Sequence, residues 1–201
     1  MAARRTERRG SQRARRVATR VVRQRFLIVC EGEQTEPKYF RAFQVPGLVV
    51  TIASSARRGA VLIAYTVAQR DAGDYDQTWC VFDRDDLTVA QIDEAFRSAA
   101  AAGVQIAFSN QAFELWLLLH FDYQHTALDR ASYRTRLDDR LGVRYDKRDP
   151  LVYDRLLDRQ PTAIANATRL RQRYPQWQPA HDDPATTIHE LVLALNAHRR
   201  L

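Results

Sequence analysis

A chain of 201 residues and 23.2 kDa is long enough for one compact domain with a sizeable core, or for one domain and a small appendage. Hydrophobic residues at 45% and charged residues at 27% exclude wholesale disorder, and the longest apolar run, Phe113 to Phe121, is interrupted by Glu114 and His120 and is too short to span a bilayer. The formal charge of +7 is unevenly spread: residues 1–25 hold ten arginines against the single acid Glu7, and the rest of the chain is slightly acidic.

That leader predicts either a solvated, disordered tail over residues 1–24 or an arm that contacts polyanions. Arginine used to the exclusion of lysine suits bidentate phosphate contacts, so Arg4, Arg5, Arg8, Arg9, Arg13, Arg15, Arg16 and Arg20 are candidate nucleic-acid contacts. A mitochondrial-type presequence shares this Arg-rich, acid-poor composition. The segment lacks the apolar core of a secretory signal, and Cys30 and Cys80 sit inside apolar runs rather than at disulfide or zinc spacing. A cytoplasmic, reduced setting without membrane association is the expectation.

After the tail, Arg25 to Cys30 is a short unbroken apolar run, the form expected of a parallel strand buried on both faces. Glu31-Gly32-Glu33-Gln34 breaks it, and Thr35-Glu36-Pro37 reads as a cap with proline in the first turn, opening a helix to about Phe43. Leu48 to Ala53 is a second strand. Ser54 or Ser55 is placed to cap a helix over about 58–70. Trp79 to Phe82 is the third strand and ends in Asp83-Arg84-Asp85-Asp86. Thr88 opens an amphipathic helix over 88–102 that Gly103 closes, and Val104 to Phe108 is the fourth strand. Ser109-Asn110 ends it and can cap the next helix, in which Phe113, Trp116, Leu117 and His120 recur at helical spacing. Strand–helix alternation predicts a three-layer α/β domain over residues 25–121, with a mainly parallel four-stranded sheet. From 122 the strand runs stop. Leu128–Leu141, Leu151–Gln160, Thr162–Tyr174 and Thr187–His198 read as helices punctuated by prolines, a helical C-terminal subdomain (122–201) packed on the core.

Ligands of parallel α/β sheets bind beyond the carboxyl ends of the strands, and this chain places acids at three of those ends. Glu31 follows the first strand, Asp83 and Asp85 follow the third with Asp86 adjacent, and Glu114 stands in the first turn of the helix after the fourth. Extended backbone would project Asp83 and Asp85 to one side. Carboxylates converging without a basic partner repel, and the usual resolution is a hard divalent cation, Mg²⁺ or Mn²⁺, on oxygen ligands such as Glu31, Asp83, Asp85 and Asp86. Such an ion can hold a phosphodiester and activate water. The plainer alternative is that these acids are solvated helix caps and loop residues.

Glu31 to Phe40, Val81 to Asp86, Ser109 to Phe121 and Pro184 to Val192 resemble, in this order, the four motif blocks of the RloB-like family. The resemblance spans residues 26–192 and implies a Toprim-like fold, in which an acid after the first strand and an Asp-x-Asp after a later one bind Mg²⁺ near a phosphodiester. It implies that Glu31 is a general acid/base or metal ligand, that Asp83 and Asp85 are metal ligands, and that Glu114 completes the catalytic cluster. It further implies a nuclease acting on DNA or RNA in antiphage defence, beside an ABC-type ATPase that regulates it. A non-catalytic Toprim-like module that binds nucleic acid or protein is the alternative. Gln111 departs from the family's Ser-Asn-Pro, with Asn110 still available as a cap.

The other candidates are weaker. Lys147 is one of two lysines, with Lys38, and can steady a phosphate, as can Arg57-Arg58 before a helix. His120 reads as a core histidine, His189-Glu190 as helix-cap residues, and Trp79 and Trp116 as core rather than a base-stacking platform. No Gly-x-x-x-x-Gly-Lys-Ser/Thr segment occurs, so ATP hydrolysis by this chain itself is not expected.

Overall fold

A computed structural model of the chain describes residues 24–42, 48–149 and 151–198. The eight arginines of the leader named above, and the end of the first helix expected at Phe43, lie outside the described residues. Among the described residues, five strands form one sheet: β1 (Gln24–Cys30), β2 (Leu48–Ser54), β3 (Gln77–Asp83), β4 (Gln105–Asn110) and β5 (Ala185–Thr186), in the order β2-β1-β3-β4-β5. The first four are parallel and β5 runs antiparallel to β4. The expected four-stranded sheet is therefore five-stranded. Two residues carry too little pattern to announce a strand; Thr187 supplies the reason that they pair. Phe108 N–H donates to Thr187 Oγ1 at 3.0 Å, Thr187 N–H donates to Phe108 O at 2.8 Å, and the hydroxyls of Ser109 and Thr186 are 2.9 Å apart.

Alternate residues of the strands feed two cores. On one face Leu27, Val29, Cys80, Phe82 and Phe108 pack under α2 (Gly59–Asp71) and α3 (Val89–Ala102). On the other, Phe26, Ile28, Cys30, Trp79, Val81 and Ala107 pack under α1 (Thr35–Arg41), α4 (Glu114–Leu118), α5 (Arg130–Leu141), α7 (Gln160–Arg171) and α8 (Ile188–Asn196). A sheet covered on both faces explains why its strands read as unbroken apolar runs rather than as alternating ones. α6 (Val152–Leu156) continues through a 3₁₀ turn into α7. The region beyond residue 122 thus supplies a strand to the sheet and half of one core. Trp79, Trp116 and both free cysteines are buried, as expected.

Local signals set both ends of α3. Thr88 Oγ1 accepts from Gln91 N–H at 3.3 Å while Gln91 Oε1 accepts from Thr88 N–H at 2.9 Å, a reciprocal cap for α3, and Gly103 closes that helix at φ 67°. Three expected caps differ. Thr35 is the first residue of α1, after Gln34, and that helix has no side-chain cap. α2 starts after Arg58, not at Ser54 or Ser55, because the turn is made by Gly59 at φ 52°. α4 starts at Glu114 without a side-chain cap, because Phe113 holds the cap position; Asn110 lies three residues earlier, and its amide donates to Asp182 O at 2.8 Å, tying β4 to the loop before β5. No helix among the described residues is long and apolar enough to cross a membrane.

Candidate acidic site at the sheet's carboxyl edge

The chain leaves β1 toward β2 on one side and returns to β3 on the other, so the gap beyond the carboxyl ends of β1 and β3 is the topological switch point of the sheet. A cavity of about 410 Å³ opens there. Six carboxylates line it, Glu31, Glu33, Glu36, Asp83, Asp85 and Glu114, against three cationic side chains, Arg58, Arg130 and Lys147. The acids expected at the strand ends therefore do converge, with the exception of Asp86. Its side chain is 92% exposed and has Arg58 Nη1 at 4.0 Å, away from the lining.

Strand register fixes the acids. Glu31 N–H donates to Val81 O at 2.9 Å, which carries the β1–β3 ladder one residue past the strand and places the side chain over the gap. Asp83 is the last residue of β3, paired with Ser109. Asp85 joins them by a turn, not by the extended alternation expected from Asp-x-Asp. It has φ 46°, a left-handed backbone that aspartate tolerates better than most residues. Arg84 N–H donates to Ser109 O at 3.0 Å and Asp85 N–H to Gln111 O at 3.3 Å, so β4 and the segment after it hold that turn. Glu114, buried in the first turn of α4, closes the group.

Glu36 is a member that the sequence reading missed. It is buried in the first turn of α1, the helix after β1, as Glu114 is in the helix after β4. The signal was available: an acid one turn into a helix that follows a sheet strand faces the same edge. Gly32 makes room for it, since a Cβ there would lie 2.8 Å from Glu36 Oε2. Lys147 is brought in by a tether from the same helix, Lys38 Nζ donating to Arg148 O at 2.8 Å.

Three arginines partly neutralise the cluster, where the sequence predicts carboxylates without a basic partner. Arg58 donates Nε to Glu31 Oε1 at 2.7 Å and Nη2 to Asp85 Oδ2. Arg130 Nη2 stands 2.8 Å from Asp85 Oδ1 and 3.7 Å from Asp83 Oδ2, and Arg134 Nε lies 3.9 Å from Glu114 Oε1. The Asp129 cap, which accepts from Ser132 N–H at 2.7 Å, sets the start of α5 and hence the position of Arg130. Two buried oxygens, Glu31 Oε2 and Asp83 Oδ1, still have no hydrogen-bond partner among the described residues.

Burial is the first cause of raised carboxyl pKa values here. It lifts Glu31, against which the bond from Arg58 pulls back. It lifts Glu36 to about 7, with the charges of Glu114 and Glu31 adding to the effect. It lifts Asp83 well above the ordinary range, with Glu36 and Glu114 adding. The pocket therefore holds more negative charge than its cationic side chains offset, and it retains protons to compensate. Hard oxygen donors in excess, two of them buried and unpartnered, fit a divalent cation in chemistry. Among the described residues, however, no group of three or more His, Cys, Asp or Glu side chains stands arranged to hold a metal ion together.

Neither histidine singled out in the sequence lines this pocket. His120 is buried beside Trp116 and Tyr39, its Nδ1 3.0 Å from Trp116 O, and burial depresses its pKa to about 4. His189 is buried at the start of α8, and burial likewise lowers it to about 4.

No curated protein and no solved structure matches this chain. The family model described as RloB-like protein matches residues 26–195, from the first residues of β1 almost to the end of α8. With most of its length inside that match, and with the acidic edge included, the chain belongs to the RloB-like protein family.

Proposed function

We propose that this chain is a metal-dependent nuclease that hydrolyses phosphodiester bonds of DNA or RNA on a Toprim-like domain. The observation that carries the reading is the meeting of Glu31, Asp83, Asp85 and Glu114 at the switch point, with buried oxygens of Glu31 and Asp83 left unpartnered. A module that only bound nucleic acid would gain nothing from gathering carboxylates where a polyanion must approach. Glu31, Asp83 and Asp85 are the residues that would hold Mg²⁺ or Mn²⁺; solvent-facing Asp86 is left out of that set. When bound, the cation supplies positive charge that withdraws electrons from the phosphodiester and makes water more acidic. Glu36, raised to about 7, is suited to hold and release a proton near neutral pH, and the charge of Glu114 adds to that shift; Glu31 is raised as well, first by burial. Lys147 meets a phosphate at the rim. An effector role in antiphage defence, and control by an ABC-type ATPase, rest on the family resemblance alone.

A second reading, a non-catalytic module that gates a partner, draws on the ion pairs of Arg58 and Arg130 with the carboxylates. Assaying the chain with and without the ATPase on duplex DNA, single-stranded DNA and tRNA, in Mg²⁺, Mn²⁺ or EDTA, separates the two. Cleavage that EDTA and the Asp83→Asn/Asp85→Asn variant both abolish supports the nuclease. Full activity in that variant sinks it.

A further inference from the structure

Arg58 and Arg130 reach the pocket from different helical layers, Arg58 as the residue before α2 and Arg130 as the first residue of α5. They meet on Asp85, whose Oδ2 bonds Arg58 and whose Oδ1 lies 2.8 Å from Arg130. Glu31 is held by Arg58, and Asp83 has Arg130 at 3.7 Å. Each of the three carboxylates assigned above to a cation therefore already faces a cation, but an organic one. The substitution is incomplete, because Glu31 Oε2 and Asp83 Oδ1 remain buried and without partners. A guanidinium and a metal ion cannot share the same oxygen lone pairs. Both oxygens of Asp85 face a guanidinium, so a metal ion that takes the lone pairs pointing there displaces the arginines, which stay tethered at the pocket's rim with side chains 38% and 40% exposed. A released planar guanidinium at that rim matches the two free oxygens of a phosphodiester.

We propose that Arg58 and Arg130 are the substrate-phosphate ligands of this site and that the free protein parks them on the metal-binding carboxylates. The proposal rests on the metal-dependent reading above. Metal and parked arginines compete, so the free chain binds metal weakly, and Arg58 and Arg130, once displaced, exchange their internal ion pairs for contacts to the substrate. Removing the arginines moves two affinities in opposite directions: metal binds tighter and nucleic acid binds weaker. A merely structural role for these ion pairs weakens both.

The test is calorimetric titration of Mn²⁺ into the full chain, into Arg58→Gln/Arg130→Gln, and into Asp83→Asn/Asp85→Asn as the blank. Fluorescence anisotropy of labelled single-stranded DNA and RNA in Ca²⁺ gives the second affinity. The double Gln variant should bind Mn²⁺ about tenfold or more tightly than the unaltered chain and nucleic acid about tenfold or more weakly, a coupling of the size usual between linked sites. Arg130→Gln alone, which keeps the Arg58–Glu31 pair, should show the same two signs at smaller amplitude, and it serves if circular dichroism shows the double variant unfolded. Equal or weaker Mn²⁺ binding by the Gln variants, when the unaltered chain does bind, overturns the parked arginines and leaves the metal reading standing. Tighter Mn²⁺ binding with unchanged nucleic-acid affinity overturns the phosphate role. No Mn²⁺ binding by any form overturns both the proposal and the reading beneath it.

Discussion

Replacing Glu36 by glutamine should stabilise this protein at alkaline pH and leave it unchanged in acid. The carboxyl is buried in the pocket, its pKa raised from 4.5 to about 7 first by burial and then by Glu114 and Glu31. In the unfolded chain it ionises at its ordinary value. Below pH 4.5 both states hold the proton and the group costs nothing. Between 4.5 and 7 the unfolded state gives up its proton while the folded state keeps it, so stability falls as pH rises, and the loss is complete once pH passes the folded-state value. A shift of this size is worth about 3 kcal/mol. Glutamine has the shape of the protonated acid and never ionises, so it avoids that loss. Urea denaturation in EDTA at pH 4 and at pH 8.5 measures it: the Glu36→Gln variant should match the unaltered protein at pH 4 and exceed it by up to about 3 kcal/mol at pH 8.5. A variant that is less stable at pH 8.5, or whose difference is the same at both pH values, refutes the claim that carboxylates crowd this pocket without enough counter-charge.

Gly32→Ala should displace the Glu36 carboxylate, which a Cβ would meet at 2.8 Å, and lower cleavage about ten- to a hundredfold with little change in Tm; unaltered cleavage would show that the position of Glu36 does not matter. His120, depressed to about 4 by burial, acts opposite in sign to Glu36: stability present above pH 6.5 is lost as pH falls toward 4, so His120→Gln should flatten the acid limb of a stability profile, and an unchanged limb counts against it. If the arginines of residues 1–25 make about six to ten phosphate contacts, nucleic-acid affinity falls roughly 10³- to 10⁵-fold between 50 and 200 mM salt, and deleting residues 1–24 flattens that slope while leaving metal-dependent chemistry intact. Equal salt slopes for both forms would reject a delivery role for the leader.

How much of this was legible in the sequence depended on how local the cause was. The apolar runs of β1, β3 and β4 announced themselves because both faces of the sheet are covered, and Thr88 and Gly103 marked the ends of α3 because capping is decided within four residues. Glu31, Asp83 and Glu114 could be placed because a parallel sheet gathers its carboxyl ends at one edge. Asp85 was found for an incomplete reason: the left-handed turn that aims it depends on hydrogen bonds to Ser109 and Gln111, residues on another strand and its exit. Arg58 and Arg130 gave no local sign of meeting on one carboxylate, because β3 and β4 both lie between them in sequence. β5 exists only because Thr186 and Thr187 find β4 across a long separation. Glu36 was legible and was passed over, because Thr35-Glu36-Pro37 also satisfies the pattern of a helix start.

The central claim is that this acidic pocket holds a divalent metal against a phosphodiester. The most direct measurement is an anomalous difference map from a crystal of the full chain soaked in Mn²⁺ with a short, cleavage-resistant phosphorothioate oligonucleotide. The account predicts a Mn²⁺ peak in the pocket beside Glu31, Asp83 and Asp85, with a phosphate of the oligonucleotide next to it. An oligonucleotide bound with no Mn²⁺ peak at those residues would contradict it.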